Sequence, residues 1–184
     1  MVGEGLGNKY RRSRLPEGSC GKGDTFLLLA FAAGVGMSAG QKRRAARVAA
    51  AGLVGYQVFG FMAGTITPMA TRELTAAGEA TRRNAFHGPL TLVSSLFFIA
   101  GMVFAARLLG KRFRYYTYAS IVVILVFGIW TSFQIPQMAA NEPTPWMGLK
   151  ERINIYAIML WVAVLALGLL RAQRVPSHET GMLE

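Results

Sequence analysis

The residues of this chain that could do chemistry are few, and they gather at the ends of apolar runs. In "PTPWMGLKERIN" (143–154), Lys150, Glu151 and Arg152 stand side by side. The run that follows, "INIYAIMLWVAVLALGLL", carries no formal charge. Gln134 closes an earlier apolar run, and His87 opens another, with Arg82 and Arg83 just ahead of it. An acid, bases, an imidazole and an amide can hold a polar headgroup between them or pass a proton. Cys20 is the only cysteine, so no intrachain disulfide or cysteine-rich metal site is expected. His87 and His178 are the only imidazoles, and His178 lies in a polar tail, so no haem held by two histidines is expected. No cofactor is implied.

The elements that must position these groups follow from composition. Hydrophobic residues make up 53% of the 184 residues and charged ones 16%, and mean hydropathy is positive. That leaves too little polar surface for a soluble domain of this size. The net charge of +11 is not spread over an amphipathic face. It falls in short clusters between apolar runs: Lys42, Arg43, Arg44 and Arg47, then Arg107, Lys111, Arg112 and Arg114. Cytoplasmic loops of multi-pass membrane proteins look like this, so the expected partners are membrane lipids and not nucleic acid.

A spanning helix needs about 20 apolar residues. Five runs qualify: 25–39, 45–67, 85–109, 115–133 and 153–170. The first is short and gains length if the basic side chains after it snorkel. A long basic lead-in and the basic loop after it argue against a cleaved signal peptide. The fold class expected is therefore all-α, an integral membrane helical bundle of about five transmembrane helices over 25–174. A disordered basic segment, 1–24, precedes it, and a polar tail, 175–184, follows.

Positive-inside bias places the two short basic loops and the C-terminus in the cytoplasm, in the plasma membrane. Residues 1–24 then lie outside despite Lys9, Arg11, Arg12, Arg14 and Lys22, which conflicts with the rule. On the outer side, the ends of the second to fifth spans bring His87, Gln134, Glu151, Arg152 and Arg83 to one rim.

Small residues recur at helical spacing in Gly36/Gly40, Gly60/Gly64 and Gly101/Ala105. They let helices approach closely, here within the chain in preference to a dimer face. His87, Thr91, Ser94 and Ser95 share one helical face. They either line a polar path or bond back to their own helix while His87 finds one partner. Thr144 reads as a helix N-cap, Pro145 as a first-turn residue and Trp146 as an interface anchor, with the helix running to about 171. Lys150 and Arg152 are long enough to snorkel and Glu151 is not. Glu151 is therefore the expected inward charge, paired with Arg82, Arg83 or His87, and Lys150→Ala is expected to be nearly silent. At the opposite rim Tyr115, Tyr116 and Tyr118 form an aromatic belt beside the basic cluster.

The stretches "LGKRFRYYTYASIVVILVFG" (109–128) and "NEPTPWMGLKERINIYAIMLWVAVLA" (141–166) resemble a bacterial and archaeal membrane family catalogued as domain of unknown function 998. The likeness covers roughly 25–174. It implies a small helical bundle, usually of six spans, and no particular substrate, cofactor or reaction. It also implies that the Glu151–Arg152 pair and His87 match an acid–base pair and a histidine at those places in the family. The family's usual first helix is missing here, which would account for a basic segment on the wrong side.

The leading expectation is a membrane protein that binds a small molecule or lipid headgroup at the outer rim. The alternatives are a structural or assembly subunit of a membrane complex, and an intramembrane enzyme using His87 or Glu151 as acid–base. The oligomeric state is open. The topology is directly testable: a reporter active only in the cytoplasm, fused after Glu184, is expected to work, and activity of a periplasm-only reporter there would invert the orientation.

Overall fold

The computed structural model describes residues 31, 34, 43–67, 82–140 and 142–174, the side chains of 82–84, 139, 173 and 174 excepted. The expected first span (25–39) apart from residues 31 and 34, the segment 1–24, the tail 175–184 and the side chain of Arg83 lie outside the described residues. Among the described residues the chain is helical apart from its connecting turns, with no strand. The elements are α1 (Arg43–Thr65), α2 (Arg82–Ala105), α3 (Lys111–Ser132), the short α4 (Ile135–Ala139) and α5 (Met147–Arg174). Four of them are long and apolar enough to cross a membrane. Hydrocarbon supplies no hydrogen-bond partner for the backbone, so a spanning segment satisfies its own N–H and C=O groups by coiling.

The boundaries move where side chains reach water. α3 takes in Lys111, Arg112 and Arg114, whose long stems carry their charges to the headgroup level. α2 ends at Ala105, earlier than its hydropathy implies. The chain turns there, with the Arg107 and Leu108 amides donating to the Phe104 and Ala105 carbonyls at 3.1 and 2.9 Å. α5 has 28 residues, about 42 Å at 1.5 Å per residue, against about 30 Å of hydrocarbon. Its first turns therefore stand at the membrane boundary.

The helices pack as two antiparallel pairs, α1 with α2 and α3 with α5. α1 and α2 meet at glycine. A Cβ on Gly52 would lie 2.7 Å from the Gly101 backbone and 2.8 Å from the Phe97 carbonyl oxygen. The two backbones touch with nothing between them, as small residues allow in membranes. Gly101 and Ala105 are both buried, so that small-residue pair is used within the chain. Gly60 faces the Ser94 hydroxyl, Gly64 faces open space, and Gly36/Gly40 lie outside the described residues. Gly52, the position of closest approach, belongs to none of the expected pairs.

Trp161 joins the two pairs. It is fully buried, with its ring edge-on to Phe98 of α2 at 5.5 Å and tilted against Phe113 of α3 at 6.3 Å. Its indole N–H donates to the Thr117 hydroxyl at 3.1 Å. Ala49 and Leu53 of α1, Met102 of α2 and Leu165 of α5 complete the same core.

Overpacking a tight contact costs about 1–3 kcal/mol. Gly52→Ala is expected to lower thermal stability in detergent by an amount in that range. Gly64→Ala, whose Cβ meets nothing within 4 Å, is expected to leave it unchanged.

Candidate functional site

Of the three adjacent charges at the start of α5, the one that faces inward is Lys150. It is 5% exposed, while Glu151 and Arg152 are both exposed. This corrects the expectation that Glu151 would turn inward because its stem is short. Among the described residues Glu151 has no hydrogen-bond or ion-pair partner, and the Arg82 and Arg83 side chains lie outside them. The reason lies in register. Lys150, Asn154, Trp161 and Leu165 recur at helical spacing along the stripe of α5 that packs on α3. The charge on that stripe is buried whatever its length.

The Lys150 ammonium donates to the Gln134 side-chain oxygen at 2.7 Å and lies over the Trp130 ring, 4.4 Å from its centroid. Cation–π geometry of this kind partly replaces lost hydration. The other end of the Gln134 amide donates to the Pro145 carbonyl at 3.3 Å, so the buried amide ties the lysine to the loop entering α5. Gln134 can do this because α3 ends at Ser132. Its backbone then passes through a turn and α4, with Pro136 near the start of that helix.

The α5 N-terminus differs from the expected Thr144 cap. α5 begins at Met147, whose amide donates to the Thr144 carbonyl at 3.4 Å, and the Trp146 carbonyl accepts from the Leu149 and Lys150 amides at 3.1 and 3.0 Å. Trp146 itself has φ of 63°, the left-handed region that a bulky residue seldom occupies. Its ring is exposed, as an interface anchor would be. Together these residues bound an open cleft of about 390 Å³. Phe127, Trp130, Trp146 and Ile153 form apolar walls, and Gln134 and Lys150 supply the polar floor. One turn below Lys150, Asn154 lies beside Gly128, and its side-chain oxygen is buried with no partner among the described residues.

His87 does something else. Its Nδ1 approaches the Thr67 carbonyl at 2.8 Å and the Ala63 carbonyl at 3.0 Å. Both oxygens only accept, so Nδ1 carries the proton and closes the end of α1 that has no further helical donors. Thr91 and Ser95 donate back to the His87 and Thr91 carbonyls at 2.8 Å each. That is the local alternative to a polar path. Ser94 differs, crossing to the Tyr56 carbonyl at 2.8 Å. No hydrogen bond joins His87 to the Lys150 group among the described residues. Of the expected binding residues the cleft brings together only Gln134 with a base, and that base is Lys150. Trp130 and Lys150 were legible as an aromatic one turn before Gln134 and as the stripe position that repeats at 154 and 161.

A family model described as protein of unknown function (DUF998) matches residues 25–168. The chain belongs to that family. No curated protein and no solved structure matches the chain.

The coupling between Lys150 and Gln134 can be read by a double-mutant cycle. Gln134→Leu strands a buried ammonium without an acceptor, and a hydrogen bond to a charged group is worth about 1.5–3 kcal/mol. The single variant is expected to lose that much. Gln134→Leu with Lys150→Met is expected to recover most of it, and Glu151→Gln to leave stability unchanged. Thermal unfolding of wild type, Gln134→Leu, Lys150→Met, the double variant and Glu151→Gln closes the cycle and checks all three.

Proposed function

We propose that this DUF998 member is a multi-pass plasma-membrane protein that binds an amphiphilic ligand, a small molecule or a lipid, in the cleft at the start of α5. The observation that supports this reading is the cleft itself. Its walls are aromatic and aliphatic, a fixed amide and a buried ammonium line it, and it lies at the N-terminal end of α5. Pockets of this make-up, apolar with a few placed polar groups, are what small ligands use. An amphiphile sets its apolar part against Phe127, Trp130 and Ile153 and its head toward Lys150 and Gln134.

In this reading the rim is extracytoplasmic. The basic residues at the other ends of the helices support it: Arg43, Arg44 and Arg47 begin α1, and Lys111, Arg112 and Arg114 begin α3. Arg152 and Glu151, exposed beside the cleft, serve as outer contacts for a headgroup. His87 serves the site by fixing the end of α1. An assembly role draws less support, because the closest small-residue contact, Gly52 on Gly101, is spent inside the chain.

Filling the cleft tests the reading. Ile153→Trp is expected to abolish saturable binding of a fluorescent single-chain amphiphile to the purified protein, with thermal stability retained. Undiminished binding in that folded variant would refute the cleft as the site.

A further inference from the structure

We infer that the ligand's head is an oxyanion, the phosphate of an anionic phospholipid or a free phosphate group, held by Lys150. This rests on the amphiphile-binding reading of the cleft and adds the sign of the charge that it takes. The argument begins with the charge balance of the site. Lys150 is 5% exposed, and among the described residues it has no acidic partner. The two described acids, Glu142 and Glu151, are both exposed and make no ion pair there. A buried ammonium is held at a cost unless a counter-charge completes it.

The groups around Lys150 compensate it in part. The Gln134 oxygen takes one N–H, and the Trp130 face lies 4.4 Å away. Both are neutral. An ammonium has three donors, and Gln134 takes one of them. The helix adds to the field. α5 has no acidic residue in its first turn, and the positive end of its dipole lies at the same rim. An oxyanion entering the cleft meets a positively charged donor beside a helix terminus. A cationic headgroup is repelled by both.

Gln134 then acts as a positioning residue. Its amide is anchored on the Pro145 carbonyl, so Lys150 is held in place before the ligand arrives. The ordering cost of a long flexible side chain is thereby met during folding and not on binding.

The test uses the full chain in neutral detergent, read by tryptophan emission. Trp130 and Trp146 line the cleft, while Trp161 is sealed in the core. The probes are short-chain phosphatidylglycerol, diacylglycerol of the same chain length, which lacks the phosphate, and inorganic phosphate. Wild type is expected to bind phosphatidylglycerol about tenfold more tightly than diacylglycerol, the value of one charge-assisted hydrogen bond. Lys150→Gln is expected to erase that preference, and Lys150→Arg to keep it. If Lys150→Gln does not fold, the wild-type preference and its survival in Lys150→Arg decide the matter. Equal affinity of wild type for the two lipids overturns the oxyanion inference and leaves the cleft reading standing. Absence of saturable binding by either lipid, with no binding of phosphate, overturns both. Inorganic phosphate binding as tightly as phosphatidylglycerol supports the oxyanion and assigns its source to the free ion.

Discussion

Hydrocarbon offers a polar atom no partner, so each such atom on a spanning helix must find one on the chain or be expensive. The placement of the polar side chains follows from that rule. Thr65, Thr67, Ser120, Thr131 and Ser132 donate to the carbonyl four residues earlier and present only methyl and methylene to their surroundings. Other polar groups cross to a neighbour. Trp161 crosses to Thr117, Ser94 to the Tyr56 carbonyl and His87 to the end of α1. These crossings tie the pairs together at specific heights. Dispersion contacts alone would allow the helices to slide.

Lys150 is the departure from the rule. A lysine one turn nearer the end of α5 could have reached water along its own stem. At position 150 it lies on the stripe that packs against α3, and its neighbours are an amide and an indole face. A neutral side chain of similar volume would pack there with no desolvation to offset, and buried ion groups are often replaceable on that ground. Keeping a charge at such a position lowers stability for no packing gain, and functional sites are where that trade is found.

Hydropathy and charge clusters made the helices legible, because the bilayer imposes one solution on any long apolar run. The internal use of Gly101 and Ala105 was legible for the same reason. The facing of the charged triplet was not. Stem length argued for Glu151 inward, while the stripe defined by Trp161 and Leu165 argued for Lys150, and packing register outweighs reach. Gly52 was missed because closest approach depends on where two helices cross, and crossing points are a property of pairs. Gln134 was found at the right rim but without its partner, since its reach depends on the turn after Ser132. The start of α5 was misplaced at Thr144 because a capping side chain was available there. The helix instead begins at Met147.

The backbone at Trp146 bears on how the cleft is held. A left-handed residue with a bulky side chain costs about 1–2 kcal/mol. Such a conformation persists only where its surroundings over-determine it. Here the surroundings are identifiable. The Trp146 carbonyl receives the Leu149 and Lys150 amides, which fixes the first turn of α5. The preceding carbonyl, that of Pro145, receives the Gln134 amide. Gln134 is in turn fixed by the end of α3 and gripped by Lys150. The loop, the amide and the lysine thus form a closed circuit in which each member sets the next. Relaxing Trp146 to an ordinary conformation would swing Pro145 away from Gln134 and loosen the amide that holds the ammonium over Trp130. The strain is therefore stored at the lip of the cleft, and it is balanced by the same hydrogen bonds that keep the Lys150 ammonium in place.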